Sequence, residues 1–281
     1  MNLPNLVLVH GWGLGNTAWK TMLPALTQRF RVHLFTLPGY SAPVELMDKQ
    51  SSSQCLEEAH EQKAYKPIIC RTPFDALSSI SFAQTAQALA DSLPENCILC
   101  GWSLGSLLAL QAASATPQHI KKLILVGGTP SFTQRADWPH AQPPALLDTF
   151  CDAIAADAAA TLKRFIALFN QGDTQARLIG RTMIKQLLAA PLPDSDTLLT
   201  GLGWLRDIDL REQIASITVP SLLIHGENDP LMPLAAARWL KETLPNSQLE
   251  VFSGAAHAPF LNDPDRFAKL IGDDFHASAL H

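Results

Sequence analysis

The 281-residue chain opens with no positively charged segment leading into an apolar stretch, so no secretory signal is expected. No apolar run reaches the length of a membrane span, so a membrane is not expected as a partner. Charged residues make up only 17% of the chain and the net charge is −5. With no basic surplus, nucleic acid is not expected either. The five cysteines, at positions 55, 70, 97, 100 and 151, are odd in number and form no disulfide framework. They fit a reducing compartment, and the expected location is cytoplasmic. Cys97 and Cys100 have C-x-x-C spacing, but on a strand residues i and i+3 point to opposite faces. They read as small buried strand residues and not as a redox pair. No H-x-x-x-H and no cysteine cluster offers a metal site, and no cofactor is implied. Internal repeats are absent.

What is present is a balance of 47% hydrophobic residues, enough for a substantial core. The chain is organised around Gly101-Trp102-Ser103-Leu104-Gly105. A short apolar run ends there in a glycine, a serine stands between two glycines, and an Ala/Leu-rich segment follows. That is strand, sharp turn and helix with serine at the turn, the context that a G-x-S-x-G nucleophile elbow requires. Further buried-type runs lie at 6–9, 32–35, 123–126, 221–225 and 248–252, with helical stretches between them. Alternating strands and helices predict an α/β fold with a mostly parallel sheet and helices on both faces. A single helix is expected from Asn16 or Thr17 to about Arg29. Residues 41–75 lose periodicity and read as a long loop or partly helical insertion. Residues 130–206 hold four helical stretches and no convincing strand. The expected organisation is a core of 1–129 and 207–281 with an inserted helical lid at 130–206.

A serine hydroxyl is a weak nucleophile without a base, and the base needs an orienting partner. The elbow requires the order Ser…Asp…His at successive strand ends. Asp229 follows the run 221–225 and His257 follows the last strand. The assignment is Ser103 as nucleophile, His257 as general base and acid, and Asp229 as the group that sets the histidine tautomer. Glu227 competes with Asp229 but lies earlier in the turn. His10, His33 and His225 lie on or beside strands, yet only His257 follows the last one. The oxyanion donors are assigned to the backbone N–H groups of Leu104, just after the nucleophile, and of Trp12, in the turn after the first strand.

These residues resemble the α/β-hydrolase superfamily over nearly the whole chain. Within it, the resemblance is greatest to the carboxylesterase family of biotin synthesis, which cleaves the methyl ester of pimeloyl-acyl-carrier protein. The segments that carry it are His10-Gly11-Trp12-Gly13-Leu14, Leu37-Pro38-Gly39-Tyr40, the elbow with Trp102, Phe165-Ile166-Ala167-Leu168, and Ala255-Ala256-His257-Ala258-Pro259-Phe260. The resemblance implies a serine carboxylesterase whose substrate pocket uses Trp12, Ser103, Leu104, Phe165, Ile166, Ala167, Leu168, Phe169 and His257. It also implies an acyl-carrier-protein-bound ester as partner, docked on Arg164, Arg177 and Arg181. The residues agree with a docking face. Five basic residues and one acid, Asp173, lie between 161 and 187, and Arg177, Arg181 and Lys185 share a helix face at i, i+4, i+8 spacing. The expected state is a monomer.

The chain departs from the family in three places. It reaches a core strand almost at once, the 41–75 segment is long, and Ser106 stands where a glycine is common. Two alternatives remain at this level. One is a broader esterase, thioesterase or carbon–carbon bond hydrolase on the same scaffold. The other is a binding module without catalysis.

Overall fold

The apolar runs become the strands of one sheet. The computed structural model describes residues 3–41, 66–71 and 80–272. Seven strands are present among them: β1 (Asn5–Val9), β2 (Arg31–Thr36), β3 (Ile68–Arg71), β4 (Cys97–Trp102), β5 (Ile120–Val126), β6 (Ser221–Gly226) and β7 (Ser247–Phe252). The helices are α1 (Leu23–Leu26), α2 (Phe82–Ser92), α3 (Leu104–Ala115), α4 (Pro144–Phe169), α5 (Ala176–Leu188), α6 (Ser195–Asp207), α7 (Leu234–Thr243), α8 (Pro259–Asn262) and α9 (Pro264–Gly272).

The sheet order is β3-β2-β1-β4-β5-β6-β7, and every pairing is parallel. The chain builds outward from β1 to β3, returns to lay β4 against β1, and then builds the other way. With right-handed crossovers, that reversal puts the helices of the two halves on opposite faces. It also makes the C-terminal ends of β1 and β4 a topological switch point, where open α/β sheets place their ligand crevice. Strands β1 and β4 are buried along nearly their whole length, as expected for strands covered on both faces. The partly exposed middle of β7 marks an edge.

Two local readings are corrected. The helix expected from residue 16 to 29 is broken into a 3₁₀ turn, Gly15–Trp19, and the four-residue α1. Asn16 and Thr17 do not cap it. The Asn16 amide donates to Thr36 Oγ1 at 2.7 Å and the Thr17 hydroxyl donates to the Leu14 carbonyl. Pro24 sits at the start of α1, where it lacks an N–H to continue an earlier helix. The second correction is β3, which lies inside the segment read as loop or helix. Its pattern, Ile68-Ile69-Cys70, is too short to separate strand from helix by periodicity, and pairing with β2 decides it. Residues 42–65, the bulk of that segment, lie outside the described residues.

Between β5 and β6 the chain leaves the sheet to form α4, α5 and α6. Asp157 (φ −162°, ψ 96°) departs from helical geometry and divides α4 in two. The Asp157 carboxylate accepts the Ala160 N–H at 2.9 Å and so caps the second half. Among the described residues, no helix is long and apolar enough to cross a membrane.

Candidate active site

Ser103 stands between β4 and α3 with φ 57° and ψ −120°. Positive φ in a residue with a Cβ is strained, and such strain persists only where the surroundings enforce it. Here the enforcing groups are backbone. A Cβ on Gly105 would collide with the Val9 carbonyl and reach within 2.7 Å of the His10 carbonyl. A Cβ on Gly101 would collide with the Gly105 carbonyl. The turn therefore packs as close to β1 and α3 as a chain can. The Ser103 N–H is bonded to the Val126 carbonyl at 3.0 Å. Ser106 contributes as well, since its hydroxyl donates to the Ser103 carbonyl at 2.6 Å.

Leu104 is the first residue of α3, so its N–H lacks an acceptor within the helix and carries the positive end of the helix dipole. Trp12 lies across the switch point, in the turn after β1. Its indole N–H donates to the Leu198 carbonyl of α6 at 2.8 Å. The turn is further held by His10, whose Nε2 accepts the Leu37 N–H at 3.1 Å while Nδ1 donates to the Gly11 carbonyl at 2.8 Å. Burial pushes His10 down to about 4, against the opposing pull of the Gly11 carbonyl.

At the ends of β6 and β7, His257 Nδ1 and Asp229 Oδ2 are 2.7 Å apart and both side chains are fully buried. Asp229 Oδ1 accepts the N–H groups of Leu231 and Met232, each at 2.9 Å. Burial alone would raise the Asp229 carboxyl. The electrostatics and hydrogen bond of His257, with the Met232 N–H, outweigh it and hold the group below the usual carboxylate range. An ionised Asp229 fixes the proton of His257 on Nδ1. That leaves Nε2 on the far side of the ring, buried and without a hydrogen-bond partner. Glu227 turns elsewhere, accepting from the Ser253 hydroxyl and the Gly254 N–H. His33, on β2, bonds Asn5 at the start of the neighbouring β1.

His225 takes a part that sequence reasoning does not assign to it. Its Nε2 donates to the Met232 carbonyl at 2.7 Å and lies 3.6 Å from Asp229 Oδ2. Desolvation holds it neutral, against the pull of Asp229. It braces the turn that carries Asp229. The only sequence signal is its i, i+4 spacing from Asp229. Trp102 also has a defined part: its indole N–H donates to the His257 carbonyl at 2.9 Å.

The stretch Phe165 to Phe169 is divided. On a helix, five consecutive residues sweep a full circle, so they cannot share one face. Phe165 packs edge-on against Trp12 with ring centroids 4.9 Å apart. Phe169 packs against Trp102 at 5.9 Å and His257 at 6.2 Å. Ile166, Ala167 and Leu168 instead line a groove between α4 and α5 of about 530 Å³, together with Arg177 and Arg181. Arg164, Arg177 and Arg181 are all exposed, and Arg164 also donates to the Thr161 hydroxyl at 3.0 Å.

Known proteins share this architecture. The alpha/beta hydrolase family model matches residues 6–270. The chain belongs to that family. It is 36% identical over 267 residues to a protein of Nitrosomonas europaea named pimeloyl-(acyl-carrier protein) methyl ester esterase, covering 95% of this chain and 93% of that one. A protein of Aromatoleum aromaticum with the same name is 35% identical and covers 97% and 98%. Among solved structures, an esterase from Exiguobacterium antarcticum superposes with a TM-score of 0.75 at 23% identity, covering 96% of this chain and 91% of that one. A bromoperoxidase from Bacillus anthracis gives 0.73 at 20%, with the same coverages. At those identities the structures show the shared fold alone.

Proposed function

We propose that this chain is a serine carboxylesterase that hydrolyses the methyl ester of pimeloyl-acyl-carrier protein. The observation that carries the chemistry is the buried 2.7 Å contact of His257 Nδ1 with Asp229, at the sheet end that also holds the strained Ser103. The names of the relatives support the substrate.

Ser103 Oγ attacks the ester carbonyl carbon, and its proton passes to His257 Nε2. The carbonyl oxygen takes the negative charge and is met by the Leu104 and Trp12 N–H groups, with the α3 dipole behind them. Asp229 stabilises the imidazolium without taking its proton. The C–O bond to methoxide breaks, and Nε2 returns the proton to give methanol. Water then adds to the acyl-enzyme with its proton going to Nε2, and collapse restores Ser103 and frees the carboxylate.

Methanol is too small to be selected, so discrimination falls on the acyl chain and its carrier. Trp12, Phe165 and the half-buried Phe150, each pair 4.9 to 5.9 Å apart by ring centroid, suit the acyl methylenes. In this reading α4 to α6 form a lid over the sheet end. Its groove, apolar along Leu168 and Ile184 and flanked by Arg177 and Arg181, suits an acidic carrier and the phosphate of its prosthetic arm. Asp173 is buried, so the exposed charge of this face is basic.

Methanol release from pimeloyl-acyl-carrier-protein methyl ester, measured beside a p-nitrophenyl ester, tests the proposal. Turnover of the carrier ester that vanishes in Ser103→Ala supports it. Charge reversal at Arg177 and Arg181 should cut carrier-ester turnover far more than small-ester turnover. Turnover retained by Ser103→Ala overturns the mechanism, and equal losses on both substrates remove the docking face.

A further inference from the structure

The short connection between α4 and α5, residues 170–175, is fastened to the loop that carries His257. Asp173 is its centre. This carboxylate is buried, and each of its oxygens is committed. Oδ2 accepts the Ala256 N–H at 2.9 Å, one residue before His257. Oδ1 accepts the Gln175 N–H at 2.7 Å and the Asn262 amide at 2.8 Å. The neighbouring backbone adds two bonds, the His257 N–H to the Phe169 carbonyl at 3.2 Å and the Thr174 N–H to the Gly254 carbonyl at 2.9 Å. The Asn228 amide, beside Asp229, donates to the Gly172 carbonyl at 2.9 Å.

Such a concentration is more than the joint itself requires. A connection between two helices needs only its own turn bonds, and a lone carboxylate in a basic, exposed stretch would ordinarily face water. Here it faces inward and ties the chain on both sides of the histidine, through the Ala256 backbone before it and the Asn262 side chain of α8 after it. A buried carboxylate that accepts several N–H bonds sets its donors rigidly, because breaking one leaves a buried polar group unpaired.

We propose that Asp173 is a positioning residue for His257. It holds the Ala256 N–H so that the imidazole sits between Asp229 and Ser103, and it makes the α4–α5 connection a fixed part of the base. The assignment rests on the reading of His257 as general base. Asp173 touches no reacting atom. Its effect therefore falls on the rate of the chemical step and not on small-ester binding.

The test compares Asp173→Ala, Asp173→Asn and Asn262→Ala with wild type on a small p-nitrophenyl ester, well below each melting temperature. A misplaced base costs about 10- to 100-fold in rate. Asp173→Ala is expected to lower kcat in that range with KM within about twofold. Asp173→Asn keeps one acceptor oxygen but turns its NH₂ toward a backbone N–H, of Ala256 or of Gln175, and should fall between Asp173→Ala and wild type. Asn262→Ala, which removes one orienting donor, should lower kcat by several-fold. A folded Asp173→Ala with wild-type kcat overturns the proposal, as does a loss that appears in KM. If Asp173→Ala does not fold, Asn262→Ala decides, and an unchanged kcat there overturns it. His257→Ala separates the two readings. Turnover surviving in that variant removes the base assignment, whereas its loss beside an unaffected Asp173→Ala removes only the positioning role.

Discussion

The turn that carries Ser103 and the loop that carries His257 are held by different parts of the molecule. The Ser103 backbone is fixed chiefly by the sheet and α3. Glycines at 101 and 105 press against backbone, and the bonds of the turn run to β5 and to Ser106. His257 is fixed from two sides. From the sheet come Asp229 and the Trp102 indole. From the helical excursion come the Phe169 carbonyl and Asp173. On the proposed roles, the nucleophile would be held by the core, and the base jointly by the core and the α4–α5 connection.

The largest expected effect breaks the core side. Gly105→Ala places a methyl against the Val9 and His10 carbonyls, neither of which can move without disturbing β1. A destabilisation of at least about 3 kcal/mol is expected, read as lost soluble yield or a collapsed urea midpoint. The next acts on the shared side. In Asp229→Asn, the Leu231 and Met232 N–H groups claim the side-chain oxygen. The amide NH₂ then faces His257 Nδ1 and forces the proton onto Nε2, where it blocks acceptance from Ser103. A fall in kcat of about 10⁴ with an unchanged fold is expected, checked by steady-state kinetics and circular dichroism.

Acid sharpens the comparison further. His10 is neutral when folded, with its value lowered from 6.5 to about 4 by burial. Below about pH 6.5 the unfolded chain binds the proton and the folded one does not. Stability is therefore full above about 6.5 and is lost as pH falls toward about 4, by roughly 3 kcal/mol from this residue alone. His33 and His225 are lowered too and act with the same sign. Urea midpoints across roughly pH 7 to 4 should show the loss, with a shallower slope in His10→Gln. The smallest effect belongs to Trp102→Phe, which leaves the buried His257 carbonyl without its indole donor. About 1–3 kcal/mol of stability should be lost, measured by thermal unfolding.

Much of this was legible in the sequence because strand ends are legible. Buried-type runs such as Leu6 to Val9 and Leu123 to Val126 mark the strands, and Ser103, Asp229 and His257 each stand shortly after such a run. The parts that were not legible depend on contacts across the fold. β3 is too short for its pattern to speak and exists by pairing with β2. The break before α1 depends on where Asn16 and Thr17 find partners. That Phe165 and Phe169 turn toward Trp12 and Trp102 while Ala167 and Leu168 face the groove shows only once α5 is in place. Asp173 read as one acid in a basic stretch, since nothing local shows that a carboxylate is turned inward toward residues more than about eighty positions away.

The most direct measurement is the site and rate of labelling by a fluorophosphonate probe, followed by peptide mass analysis in wild type and His257→Ala. A core-built nucleophile activated by a base held jointly with the lid predicts modification at Ser103, rapid in wild type and at least about 100-fold slower without the histidine. Modification at another residue, or equal rates in the two proteins, would contradict it.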